Sequence, residues 1–199
     1  MPGTVFLLSP ASLGGTRAKQ LTSPRASFDV ALRYRSPEGV EIADAFAFMS
    51  ALYFRGKIAY ARHFGEQTFI IAPGFGLVPP EWRLTGERMK IMRRTPVDVT
   101  KRSYVRPLRE HAEALAEGLD DGRRVVLLGS VASGKYIDVL HPVLGDRLLF
   151  PSAFAGLGDM SRGGLMLRAV RHDRELEYAT LDAPRRSKDA VGRARRMFA

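Results

Sequence analysis

Four short apolar runs, each too brief to be a helix and each bounded by turn residues, constrain this chain more than any other feature. Residues 4–9, 68–72, 124–129 and 147–151 are built around Val, Ile, Leu and Phe with little polar alternation. That is the pattern of strands buried on both faces. Between the first two, residues 42–64 carry a helical stripe of Ile42, Phe46, Met49, Tyr53, Tyr60 and Phe64. Residues 103–119 repeat Val105, Leu108, Ala112, Leu115 and Leu119 at spacings of three and four, with Gly122 beyond the end. Pro107 is tolerated only in a first turn, so this helix is predicted to begin near Arg106. Residues 136–144 read as a short helix bent at Pro142, and residues 164–172 as another, followed by a strand at 175–181.

Strands alternating with helices predict an α/β fold: a mixed, partly parallel central sheet flanked by helices. The chain has 199 residues, enough for one substantial core. The organisation expected is a single domain over residues 1–183 followed by a basic C-terminal tail over residues 184–199. Residues 10–40 and 79–103 have weak periodicity and read as long excursions, of the kind that carries function.

Charge is segregated. The chain has 31 Lys and Arg against 21 Asp and Glu, a net charge of +10. Residues 81–110 hold nine basic side chains and four acidic ones, and residues 184–199 hold six basic ones and only Asp189. Those two segments carry the whole excess. A polyphosphate would select such a surplus, because each neutralised phosphate releases condensed counterions. DNA is therefore the expected partner, double-stranded or locally opened, held by Arg83, Arg88, Lys90, Arg93, Arg94, Lys101 and Arg102. A solvated basic tail or an anionic lipid surface would also account for the charge alone.

The absence of cysteine excludes disulfides, thiolate zinc sites, iron–sulfur clusters and cysteine nucleophiles. His63, His111, His141 and His172 are dispersed without metal-ligand spacing, so neither a metal nor a cofactor is expected. Residues 1–15 lack a basic start and a long enough apolar core for a signal peptide. The most apolar window, residues 45–54, is far shorter than the ~20 residues needed to span a bilayer. A cytoplasmic protein without a membrane partner is the expectation.

Three motifs bear on chemistry. The run Gly129-Ser-Val-Ala-Ser-Gly134-Lys135-Tyr136 follows a strand and matches a phosphate-binding loop through its lysine. Its last position needs Ser or Thr to hold magnesium, and Tyr136 does not serve; a helix N-terminus touching a DNA phosphate is the simpler reading. In Pro73-Gly-Phe-Gly-Leu-Val-Pro-Pro80 two glycines flank Phe75, which either stacks on a base or folds into the core. Lys57 falls on the apolar stripe between Tyr53 and Tyr60. The ordinary fate of such a lysine is to snorkel; desolvated, it would become a nucleophile.

The order of these pieces resembles the YaaA peroxide-stress family. Leu7-Leu8-Ser9-Pro10-Ala11-Ser12 is similar to that family's ISPAK opening, and Met49 to Lys57 to a segment that places a tyrosine and small residues before a helix. Ile70 to Pro79 is similar to its LSGLYGVLRP loop, and Trp82-Arg83-Leu84 stands where YRL occurs. Val125 to Ser130 with Tyr136, His141-Pro142 and Pro151 resembles a later strand and its followers, and Ser161 to Met166 echoes KARGLMS. Two departures stand out: the lysine of the opening is Ser12, and the lysines before ARGLMS are Met160-Ser161. The resemblance implies DNA binding and protection of DNA under oxidative stress. Related nucleobase-handling domains, one of them in archaeosine synthase, carry a similar strand and loop, which implies a base pocket.

The expected function is a DNA-binding protein of DNA damage or modified-base handling, with a glycosylase-like hydrolase cleaving an N-glycosidic bond as its enzymatic form. Ser9, Tyr53, Phe75 and Arg162 would line the base pocket; Lys57, Asp138 and Tyr136 would be catalytic, with Asp138 activating water or Lys57 attacking the sugar. The alternatives are a non-catalytic adaptor and a nucleotide-binding protein using the run from Gly129 to Lys135.

Overall fold

Each of the four apolar runs is a strand in the computed structural model of the protein, which describes residues 3–120 and 122–181. The basic tail lies outside the described residues. The strands are β1 (Thr4–Leu8), β2 (Val40–Glu41), β3 (Gln67–Ala72), β4 (Gly76–Val78), β5 (Arg83–Leu84), β6 (Arg124–Leu128), β7 (Leu148–Pro151) and β8 (Tyr178–Thr180). The helices are α1 (Thr16–Leu21), α2 (Asp29–Arg35), α3 (Ile42–Phe64), α4 (Gly86–Arg94), α5 (Arg102–Glu117), α6 (Ile137–Leu144) and α7 (Asp159–Arg171).

Six strands form one sheet in the order β4-β3-β1-β6-β7-β8, and β2 and β5 make a separate antiparallel pair. The inner four strands are parallel: β1 pairs with β3 and β6, and β6 with β7. Antiparallel β4 and β8 close the two edges. The mixed α/β architecture expected from the apolar runs is the one observed.

Side-chain alternation along the strands explains why both faces are apolar. Phe6, Leu8, Ile70, Val126 and Leu128 point into a core shared with α1, α2, α3, α4 and α7. Val5, Leu7, Ile71, Val125 and Leu127 point the other way, into a core shared with α5 and α6. The chain leaves β1 for β3 on one side and places β6 and β7 on the other, so neighbouring β1 and β6 form a topological switch point. Ligands of open α/β sheets bind at the carboxyl ends of strands at such a point.

Several elements depart from the sequence-based expectations. Helix α5 starts at Arg102, so Pro107 sits inside it. Pro107 has no N–H to donate within the helix, and its carbonyl packs against Gly76, where an added Cβ would lie 2.4 Å from that oxygen. Gly76 meets this approach in the left-handed region, at φ 76°. Helix α3 is two helical pieces joined at Ala51, whose φ of 44° and ψ of −121° break the helix. Helix α7 begins at Asp159, five residues earlier than its apolar pattern suggests. The two excursions contain α1, α2, β2, β5 and α4. Among the described residues no helix is long and apolar enough to cross a membrane.

Candidate functional site

The carboxyl ends of β1, β3 and β6 open into a cleft of about 830 Å³, a size typical of small-ligand sites. Ser9 follows β1, Pro73 follows β3, and Ser130 and Tyr136 follow β6; Ser50 and Tyr53 come from the break in α3. Lys19, Arg93, Lys135 and Asp159 also line it. Its charged lining is therefore cationic by three to one. Two close approaches shape the floor. A Cβ on Gly129 would fall 2.9 Å from Ser9 Cβ, so glycine is what lets the turns after β1 and β6 meet. Tyr104 Oη of α5 donates to the Lys135 carbonyl at 2.8 Å, anchoring the loop after β6.

Lys57 does not snorkel. It is fully buried beneath Ser9, with Nζ donating to the Ser9 carbonyl at 2.7 Å and to Ser9 Oγ at 2.9 Å. The rings of Tyr53 and Phe54 lie 4.2 and 4.9 Å from the same nitrogen. Helix α7 packs tightly across this part of α3. A Cβ on Gly163 would be 2.7 Å from the Leu52 carbonyl, and one on Gly56 would be 2.7 Å from the Gly163 carbonyl, so the two helices touch backbone to backbone. Burial lowers the Lys57 pKa to about 7; the Asp159 charge opposes that shift and the Arg162 charge adds to it.

The hydroxyl of Tyr53, a residue only 8% exposed, is buried without a hydrogen-bond partner among the described residues. Burial raises its pKa, while Arg162 and Ser9 draw it down. One face of its ring is taken by Lys57. Burial also pushes Tyr136 up to about 12, with the charges of Tyr53 and Asp159 acting in the same direction. Tyr136 packs in the α5–α6 core and Tyr53 in the α3–α7 core, so the cleft joins the two.

The remaining expected site residues lie apart. Phe75 is half-buried against the α3 side of the core, its ring 4.9 Å from that of Trp82, and does not line the cleft. Arg162 sits behind Tyr53, donating from Nε to the Phe154 carbonyl at 3.3 Å, with a guanidinium nitrogen 3.8 Å from Asp159. Asp138 is exposed on α6 against Gly134 rather than in the cleft. The carboxylate that does line the cleft is Asp159, which the sequence reading passed over; Gly158 and an acidic first turn mark the helix start that carries it. Lys19 and Ser50 were passed over as well, one in an excursion and one at an unmarked helix break.

The expected DNA contacts divide into two groups. Arg83 faces Glu41 at 3.8 Å, Lys90 pairs with Glu87 at 2.6 Å, and Arg88 stacks over Trp82 at 4.4 Å while donating to the Arg83 carbonyl. Arg93 donates to the carbonyls of Leu13 and Ala18 and to Thr22 Oγ1, each at 3.3 Å, tying the 10–22 excursion to the cleft rim. By contrast, the side chains of Arg94, Lys101 and Arg102 are exposed and make no hydrogen bond or ion pair among the described residues. Arg102 lines a second hollow with Arg106 and Arg109 on the face of α5.

Comparison with family models, with curated proteins and with solved structures finds no match to this chain. The functional reading therefore rests on the cleft itself.

Proposed function

We propose that the protein binds DNA and seats one base in this cleft, acting in the handling of damaged or modified bases. The observation that carries the reading is the meeting of Ser9, Tyr53 and Tyr136 in a switch-point cleft that also holds Lys19, Arg93 and Lys135. Polar hydroxyls on the walls suit the edge of a base, and the cations suit the phosphates on either side of it. Arg94, Lys101 and Arg102, exposed on the segment around the cleft residue Val97, add further cations for phosphates.

Hydrolysis of an N-glycosidic bond is the chemistry best suited to this lining. Asp159 faces the cleft and would take a proton from water as the water oxygen bonds to C1′. The C1′–N bond breaks, the base leaves with the electron pair, and Tyr53 or Tyr136 donates a hydrogen bond to it. Asp159 replaces Asp138 in this role, and Lys57, enclosed by Ser9 and the two aromatic rings, gives up the part of sugar nucleophile.

Titrating duplex and single-stranded DNA against salt tests the binding, and a salt-independent affinity rejects it. Incubation with oxidised, deaminated and hypermodified DNA should release free base, and Asp159→Asn should abolish the release. Binding without release leaves the non-catalytic adaptor. One observation favours a nucleotide ligand instead: Ser130 and Lys135 of the glycine-rich loop line the same cleft. Magnesium-dependent ATP or GTP binding lost in Lys135→Ala would select that reading.

A further inference from the structure

An ammonium ion taken out of water without a partner costs several kcal/mol, so a buried lysine normally brings a hydrogen-bonded carboxylate with it. Lys57 has none. Its polar contacts are the carbonyl and the hydroxyl of one residue, Ser9, at 2.7 and 2.9 Å. The neutral amine can keep one N–H on the carbonyl and turn its lone pair toward the serine hydroxyl in place of the N–H it donates there. The competing acceptor for that hydroxyl, the Leu128 carbonyl, is farther off at 3.3 Å.

Ser9 in turn lines the cleft, at the carboxyl end of β1 beside the switch point. Tyr53 and Lys57 stand four residues apart on the second piece of α3 and so share a face. The left-handed backbone of Ala51 ends the first piece immediately before them, a strained position of the kind that collects at functional sites. The Tyr53 hydroxyl, buried and unpartnered at the cleft wall, is a donor held ready for a ligand atom.

We propose that Ser9 is the nucleophile of an acyl-transfer centre, with Lys57 as its base and the Tyr53 hydroxyl as donor to the oxyanion. Ser9 Oγ bonds to the carbonyl carbon while its proton passes to Lys57 Nζ. The carbonyl electron pair moves onto oxygen, where Tyr53 donates a hydrogen bond. The pair then returns, the bond to the leaving group breaks, and the leaving group departs with the proton from Lys57. Water repeats the two steps on the Ser9 ester and frees the acid. Lys19, Arg93 and Lys135 in the same cleft set the substrate class: activated acyl groups carried on a phosphate. This centre uses the cleft that the proposed function gives to a base, but it does not rest on that reading.

The groups facing Lys57 are Ser9 from the turn after β1, Tyr53 and Phe54 from α3, and the charges of Asp159 and Arg162 from α7. With burial outweighing Asp159, the amine titrates near pH 7. The full-length protein treated with a dye-bearing fluorophosphonate should take up one label, mapped to Ser9 by peptide mass spectrometry. Its rate should rise about tenfold between about pH 6 and about pH 8 as the amine loses its proton. Lys57→Arg keeps a cation but cannot give up a proton, so labelling should fall by about 100-fold or more. Acetyl phosphate should protect Ser9 from the label.

No label on Ser9, or a label whose rate ignores pH, overturns the proposal. Full labelling of Lys57→Arg removes Lys57 as the base, and should that variant fail to fold, the pH profile of the unaltered protein decides. Failure of acetyl phosphate to protect overturns the substrate class. DNA binding is measured separately on the same protein, so the two readings fail independently.

Discussion

Lys57 is the residue on which the site turns, and its burial has a consequence for stability that needs no ligand. Its pKa falls from 10.5 to about 7 on folding. Between about pH 7 and about pH 10 the unfolded chain therefore holds a proton that the folded protein has released. Stability must rise with pH across that window, by about 1.4 kcal/mol per pH unit from this group. Above the window the sign reverses, because Tyr60 and Tyr136, pushed up to about 12, stay protonated in the fold when unfolded tyrosines ionise. Urea unfolding of the protein and of Lys57→Met at a series of pH values measures this: the slope belongs to the protein and should vanish in the variant. Tyr53 carries the opposite signature. Its buried hydroxyl has no partner, so Tyr53→Phe should leave the protein as stable or raise stability by about 1 kcal/mol. A lower melting temperature in Tyr53→Phe would mean that the hydroxyl is satisfied within the fold.

At the scale of elements, the cleft depends on how closely α3 and α7 approach. Gly56 and Gly163 face each other there, and a methyl group on Gly163 would meet the Leu52 carbonyl at 2.7 Å and Tyr53 Cα at 2.8 Å. Neither backbone atom can swing aside, so Gly163→Ala should cost about 1–3 kcal/mol. It should also loosen the packing that buries Lys57; thermal unfolding reads the first effect, and a rise in the Ser9 labelling pKa, from lessened burial, the second. Little of this crossing was legible in the sequence. The strands were, because residues such as Val125 to Leu128 leave no polar face for a helix to present to water. The length of α3 was, because its stripe runs from Ile42 to Phe64. The break at Ala51 was not, since no glycine or proline marks it and tertiary packing alone imposes it. Helix α4 was missed although Thr85 caps it, accepting from the Arg88 amide at 3.4 Å, because nine residues offer only Met89 and Met92 as a buried stripe.

For the whole molecule, the question is which cations are left over once the fold has used its own. Nine basic side chains between residues 81 and 110 look alike in the sequence, but the fold assigns them different work. Arg93 holds the 10–22 excursion through three acceptors, so reversing its charge would damage the cleft as well as any nucleic-acid contact. The side chains of Arg94, Lys101 and Arg102 make no hydrogen bond or ion pair among the described residues, and their charge is available to a partner. Reversing those three to Glu should therefore leave the melting temperature within about 1–2 °C, as exposed substitutions do. On DNA the same variant should bind more weakly at every salt concentration. If each of the three meets one phosphate, the slope of log affinity against log salt should shrink by roughly 2.7, at about 0.9 per lost contact. Truncation after residue 183 weighs the tail's six basic side chains in the same way. A slope unchanged by the triple reversal but collapsed by truncation would place the phosphate contacts on the tail rather than on Arg94, Lys101 and Arg102.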